Sequence, residues 1–143
     1  MKINYLIILL SMLSFTKCRD IASDKDYPLS LVNNASYAVR YYLALGDGYA
    51  TTAYPDTTLP VNNIFSDVII APGKKAILYN GKVKWEEIFQ KFLPADTLSL
   101  FIFHSDTLKK YSWDDIKKGY KVLRRYDLSL DDLKLTNWVI NYP

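Results

Sequence analysis

The segment from Tyr37 to Leu45 constrains the fold more than any other part of the chain, because its side chains alternate between two sets. The odd-numbered positions all carry tyrosine, valine or leucine, whereas the even-numbered positions are Ala38, Arg40, Tyr42 and Ala44. A period of two over nine residues predicts a β-strand with one buried face and one more exposed face. Gly46 and Gly48 predict the end of that strand.

Other short apolar segments, bounded by turn residues, predict further strands. They cover residues 29–32, 67–71, 75–79, 98–103, 120–126 and 137–142. Pro72 and Gly73 separate two of them and predict a hairpin between 67–71 and 75–79. The run at 98–103 is the most apolar and is expected to be a central strand.

Three short helices are expected between these strands. Residues 85–92 place Trp85, Ile88, Phe89 and Phe92 at helical spacing. Ser112 and Ser129 each precede an acidic residue at the third position, which is the pattern of a helix start. The whole predicts a mainly β fold, an antiparallel β-sandwich of immunoglobulin-like layout with short helical connections; an α+β fold is the alternative.

The first residues have the pattern of a secretory signal that ends at the only cysteine. One early lysine is followed by an apolar stretch from Tyr5 to Phe15, which is shorter than the roughly 20 residues that a spanning helix needs. An unpaired cysteine at that point predicts lipidation of Cys18. We therefore expect a lipoprotein signal peptide at 1–17, a lipidated tether at 18–28 and one β-rich domain at 29–143.

Charge and residue types narrow the chemistry that the exported part can perform. After Cys18 there are sixteen basic and fifteen acidic residues, and this near-neutral balance argues against nucleic acid as a partner. A single His104 and a single Cys18 argue against a zinc site, and no cofactor motif occurs. His104, Ser105 and Asp106 are neighbours in sequence, and neighbours on a strand point to opposite faces, so we expect a strand-end histidine and not a catalytic group.

The irregular segment 49–66 is the first candidate for a binding surface, because long surface loops often carry function, although a purely structural loop is the favoured interpretation. Its candidate residues are Tyr49, Tyr54 and Asp56. Tyr41, Tyr42 and Tyr120 could extend an aromatic platform for sugars, although packing and hydrogen bonding within a sheet is the favoured explanation of such tyrosines.

Several motifs resemble a group of small lipoproteins from bacteria of the Bacteroides type. They are residues 54–57, 96–103, 111–113, 123–133 and 137–143. The resemblance covers most of the domain and implies an outer-membrane location, periplasmic or surface-facing; it implies no activity. In that setting Asp-Thr followed by Thr or an apolar residue is an O-glycosylation pattern, which points to Thr57, Thr97 and Thr107.

The sequence favours a non-enzymatic, lipid-anchored interaction module of the cell envelope that binds an envelope protein or a glycan. One alternative is an immunity or inhibitor protein acting on an envelope toxin or hydrolase. A further alternative is a small hydrolase that uses carboxylates such as Asp56 or Asp67.

Overall fold

A computed structural model describes residues 27–45, 54, 59–60 and 67–143 of the chain. The described residues form six strands in two three-stranded sheets, together with four α-helices. The fold is therefore mixed α/β with a substantial proportion of sheet. Within the described ranges no helix is both long and apolar enough to cross a membrane.

The first sheet has the order β3–β1–β6. Its central strand β1 (Leu29–Asn33) pairs antiparallel with β3 (Lys75–Tyr79) and parallel with β6 (Val139–Tyr142). The strands expected at 29–32 and 75–79 are confirmed. The strand expected at 137–142 is confirmed only from Val139, because Asn137 and Trp138 have positive φ angles and lie in a turn. The parallel pairing of the first and last strands was not anticipated, and it is feasible because the whole intervening chain serves as the crossover that parallel strands require.

The second sheet has the order β2–β4–β5 and is antiparallel throughout. Its strands are β2 (Val39–Ala44), β4 (Leu98–His104) and β5 (Arg124–Leu128). β4 lies in the middle and six of its seven residues are buried. The prediction of a central strand at 98–103 is confirmed, since a run that is apolar on both faces needs cover on both faces.

The predicted hairpin between 67–71 and 75–79 is wrong. β3 pairs with β1, and in the other segment only Ile70 forms a bridge, with Val39 of the second sheet. Asn33 explains the difference: its buried amide donates to the carbonyl of Ile70 (2.9 Å), and its own carbonyl accepts from Gly73 N (2.7 Å). Residues 71–74 do form a turn, in which Lys74 N donates to the carbonyl of Ala71 (3.1 Å), but the bonds to Asn33 hold Ile70 and Gly73 beside β1, so the two flanking segments do not pair with each other.

The strand expected at 120–126 is displaced, since β5 begins at Arg124. Tyr120 has φ +42° and stands just after the end of α3 (Trp113–Lys118), where Tyr120 N bonds Lys117 O and Lys121 N bonds Ile116 O. This pair of bonds is a Schellman motif, so Tyr120 and Lys121 belong to the C-terminal cap of α3 and cannot be part of the strand.

The predicted helix at 85–92 is confirmed as α1 (Trp85–Lys91), followed by a 3-10 turn at Pro94–Asp96. The two predicted caps are also confirmed. Ser112 Oγ accepts from Asp115 N at the start of α3, and Ser129 forms a capping box with Asp132 at the start of α4 (Leu130–Leu135). Helix α2 (Ser105–Lys110) was missed, because its cap is a histidine and not a typical capping residue: His104 Nδ1 accepts from Asp106 N at 3.1 Å.

The largest core receives side chains from both sheets and from helices α1 and α4. Its most buried members are Leu29, Leu31, Val39, Leu98, Leu100, Ile102 and Leu133.

A second core covers the opposite face of the second sheet, hereafter the outer face, and contains Tyr42, Ala44, Leu59, Phe101, Phe103 and Ile116. Both faces of β2 are therefore buried, which corrects the expectation that its even-numbered face is the more exposed one. Residues of the segments around α2 and α3 supply that cover.

Candidate functional site

Most of the predicted site residues lie outside the described residues. These are Cys18, Tyr49, Asp56 and Thr57. Tyr54 is described and is half-buried in a turn, and Asp67, the other carboxylate of the hydrolase hypothesis, is exposed. The binding surface predicted around Tyr49, Tyr54 and Asp56 therefore stays a prediction.

The two described glycosylation candidates occupy different settings. Thr97 is half-buried just before β4, and its Oγ1 donates to the carbonyl of Ala95 at 2.9 Å. Thr107 is half-buried within α2. Modification at either residue remains a prediction.

The tyrosine platform is not a single surface. Tyr41 and Tyr42 are 7% and 4% exposed and belong to the two different cores, so neither ring forms part of an exposed platform. Alternation along β2 sends the two rings to opposite faces of a sheet that is covered on both sides. Tyr120, in contrast, is 42% exposed.

His104, Ser105 and Asp106 have separate partners. The His104 ring stacks on Tyr37 with centroids 4.8 Å apart, and its Nδ1 accepts from the backbone of Asp106. The Asp106 carboxylate accepts from Lys109 Nζ at 3.2 Å. The histidine thus lies at the end of a strand, as expected, and caps a helix there.

Each resolved pKa shift has a structural cause. Hydrogen bonds from Ser129 hold the pKa of Asp132 below its usual value at the start of α4. Burial raises the pKa of the Tyr142 hydroxyl, and its hydrogen bond with Tyr37 (2.8 Å) raises it further; this bond links the last strand to the segment before β2. Burial also raises the pKa of Tyr126. Among the described residues no group of three or more His, Cys, Asp or Glu is arranged to hold a metal ion.

A surface that the sequence interpretation did not single out lies beside helices α2 and α3. Lys121 Nζ lies 4.5 Å and Lys110 Nζ 5.4 Å from the centroid of the Tyr111 ring, within the range of cation–π attraction. Tyr111 is 38% exposed, and Tyr120 precedes Lys121 directly. We call Lys110, Tyr111, Tyr120 and Lys121 the basic–aromatic surface.

The sequence around this surface is basic although the chain after Cys18 is nearly neutral. Residues 105–126 contain seven Lys or Arg and three Asp, so nine basic and twelve acidic residues are left for the rest of the chain after Cys18. The net charge of the whole chain does not show this uneven distribution of basic residues. A count of charges by segment, or the run Lys109-Lys110-Tyr111, would have indicated it from the sequence.

Tyr120 also occupies a conformation that normally belongs to glycine. It is the residue that follows the helix terminus in the Schellman motif of α3, and glycine is preferred there because a Cβ destabilises the left-handed region by about 1 kcal/mol. A large exposed aromatic residue at a strained position is a pattern found at functional surfaces.

One polar cluster on the outer face of the second sheet is held together by hydrogen bonds between its own side chains. Arg125 Nε donates to Asp127 Oδ1 at 2.8 Å, and Ser99 Oγ donates to the same oxygen at 2.6 Å. The Arg125 guanidinium also lies 5.2 Å from the centroid of the Phe101 ring. We call Ser99, Arg125 and Asp127 the closed cluster, because the Arg125 guanidinium and the Ser99 hydroxyl both donate to the same carboxylate oxygen of Asp127.

Comparisons of this chain with protein-family models, with curated proteins and with solved structures yielded no significant match.

Proposed function

We propose that this protein is a non-enzymatic interaction module of the bacterial cell envelope, which binds an anionic glycan through the basic–aromatic surface. The observation that carries the proposal is the exposed Tyr111 ring with a lysine ammonium group at 4.5 Å and another at 5.4 Å. Two cations beside an exposed aromatic ring suit a ligand that has both charged oxygens and an apolar face.

An acidic sugar has both features. Lysine ammonium groups donate charge-assisted hydrogen bonds to carboxylate or phosphate oxygens. The C–H face of a sugar ring packs on an aromatic side chain such as Tyr120, whose body is apolar and whose tip is polar. Each such contact on a solvated surface contributes little, so binding would depend on several sugar units of one polymer.

The envelope location rests on the N-terminal sequence. A lipid on Cys18 would hold the protein at the outer membrane, since acyl chains contribute about 0.8 kcal/mol per buried methylene group. The segment 18–28 would then act as a tether for the domain at 29–143. The likeness to Bacteroides-type lipoproteins supports the same compartment. We also propose that the two sheets form a sandwich, since strands of both contribute to one core.

The test uses full-length protein extracted from membranes in detergent and measures its affinity for an acidic and a neutral polysaccharide. Replacing both Lys110 and Lys121 with Gln should weaken binding to the acidic polymer at least about tenfold and reduce its salt dependence. The matched control replaces Lys74 and Lys75 with Gln, which removes the same charge from exposed positions at the start of β3.

Two outcomes would refute the proposal. One is equal affinity for the acidic and the neutral polymer, and the other is an equal loss of affinity in the two double variants. Cross-linking in living cells provides the complementary measurement: recovery of one dominant envelope protein would favour an inhibitor or assembly role over glycan binding. Radiolabelled fatty acid that stays with the wild-type protein and not with Cys18→Ser tests the anchor.

A further inference from the structure

On the outer face of the second sheet, two buried polar atoms lack the partners that the closed cluster has. They are Arg40 Nε and Ser105 Oγ, and neither has a hydrogen-bond partner among the described residues. Ser105 is 1% exposed, whereas Arg40 as a whole residue is only partly buried. Buried polar groups are nearly always hydrogen-bonded, so a buried Arg40 Nε and a buried Ser105 hydroxyl without partners call for an explanation.

Both residues belong to the same face. Arg40 alternates with Tyr42 and Ala44 on β2, and those two side chains are in the second core. Arg40 lies opposite Phe103 of β4, and Ser105 N donates to the carbonyl of Ala38 at 3.0 Å, which continues the same register. Ser105, the first residue of α2 directly after β4, thus follows the register position diagonal to Arg40. We call them the open pair.

The closed cluster has the same arrangement on the other side of β4. Arg125 lies opposite Phe101, and Asp127, two residues further along β5, lies opposite Ser99. In the open pair Arg40 takes the place of Arg125, and Ser105 takes the place of Ser99. The residue that lies opposite Ser105, in the place of Asp127, is Ala38. The second arrangement therefore has the arginine and the serine but no carboxylate at the equivalent position.

We propose that the open pair binds a carboxylate group supplied by a ligand, in the way that Arg125 and Ser99 bind the carboxylate of Asp127. The guanidinium presents its N–H groups as a planar fork that matches a carboxylate, and the serine hydroxyl donates one further hydrogen bond. Ala38 has no polar side-chain group that could bind Arg40 and Ser105 in place of the ligand. The ligand class is a carboxylic acid, carried either by an acidic sugar or by an amino acid or peptide terminus.

Binding to the open pair can be measured by NMR from the Nε–H signal of Arg40. The chain has four arginines, namely Arg19, Arg40, Arg124 and Arg125, so their Nε–H signals can be resolved in an NMR spectrum of nitrogen-15-labelled full-length protein. The Arg40 signal is identified by its loss in Arg40→Met. Titration with acetate should shift it saturably, whereas Arg125, already bonded to Asp127, should not move; sodium chloride at equal ionic strength is the control.

The matched variants are Ala38→Asp and Ala38→Asn, which have nearly the same shape and differ in charge. Ala38→Asp supplies the equivalent of Asp127, so it should weaken acetate binding at least about tenfold and raise the urea midpoint of unfolding. Ala38→Asn should retain binding. Because the midpoint is measured on both variants, failure of either one to fold would be seen directly.

Further probes separate the two sources of the carboxylate. Tighter binding of glucuronate than of acetate supports an acidic sugar, and tighter binding of N-acetylalanine supports an amino acid or peptide terminus; both support the site. Tighter binding of phosphate or sulfate would overturn the assignment of a carboxylate.

Three other results would overturn the site itself. They are a non-saturable Arg40 shift, an equal shift at Arg19 and Arg124, and equal binding by Ala38→Asp and Ala38→Asn. A change of the ligand-free Arg40 signal in Asp47→Asn or Asp56→Asn would mean that a carboxylate of this chain already occupies the pair. The inference is independent of the glycan proposal, because replacing Lys110 and Lys121 should leave the Arg40 titration unchanged.

Discussion

The closed cluster and the open pair occupy the same face of one sheet, on opposite sides of the central strand, and they differ chiefly at one position. In the closed cluster Asp127 accepts hydrogen bonds from Arg125 and Ser99; in the open pair the equivalent position is Ala38. In the closed cluster the protein supplies the carboxylate, and the arginine stabilises the fold. In the open pair alanine occupies that position, so the N–H groups of the arginine are left for the carboxylate of a ligand, and the unpartnered donors lower the stability of the fold. Functional capacity in this fold can thus arise from the omission of one side chain.

The largest expected effect comes from converting the closed cluster into a second open pair. Asp127→Ala leaves the Arg125 guanidinium and the Ser99 hydroxyl without their shared acceptor, and we expect it to lower the free energy of unfolding by about 1–3 kcal/mol. Urea denaturation followed by tryptophan fluorescence measures this difference. Asp127→Asn, which keeps an acceptor but loses the charge, should fall between wild type and Asp127→Ala. A loss below about 0.5 kcal/mol, the range of ordinary surface substitutions, would mean that the cluster does not stabilise the fold.

A smaller effect, of opposite sign at the two sites, is expected when each arginine is replaced with methionine. Arg125→Met breaks the ion pair with Asp127 and the contact with Phe101, so it should lower the free energy of unfolding by about 1–2 kcal/mol. Arg40→Met removes a buried donor that has no partner in the described structure while it preserves an unbranched side chain. We expect that replacement to raise the free energy of unfolding of the ligand-free protein by up to about 1 kcal/mol.

The same denaturation measurement, made on both proteins without added carboxylate, checks this pair of predictions. Equal destabilisation by the two replacements would remove the distinction between the closed cluster and the open pair. Stabilisation of wild type by saturating acetate, absent in Arg40→Met, would strengthen it, because a ligand that binds only the folded state raises its stability.

Features encoded by neighbouring residues were predictable from the sequence. The caps at Ser112 and Ser129, the helix from Trp85 and the central strand β4 each depend on a pattern of a few consecutive positions, and the structure has all of them. Such patterns act through local hydrogen bonds and periodic burial, so no knowledge of distant partners is needed.

Features set by distant contacts could not be predicted in this way. The parallel pairing of β1 with β6 and the crossing of residues 70–73 between the sheets depend on contacts such as that of Asn33 with Ile70, 37 positions apart. The open pair has the same origin. Nothing near Arg40 in the sequence indicates Ser105, because only the register between β2 and β4 makes them neighbours, and a register that differed by one residue would send Arg40 to the other face.

The smallest expected change in the free energy of unfolding comes from removing the hydroxyl of Ser99 or of Ser105. Ser99→Ala deletes a hydrogen bond to a carboxylate and should lower the free energy of unfolding by about 1 kcal/mol. Ser105→Ala deletes a buried hydroxyl that has no acceptor among the described residues, so it should raise that free energy by roughly 0.5 kcal/mol. Differences of this size require paired urea titrations of both variants and wild type in one experiment. If Ser105→Ala instead destabilises the ligand-free protein as much as Ser99→Ala does, then Ser105 already has a hydrogen-bond acceptor in solution, and its hydroxyl is not free to receive the carboxylate of a ligand.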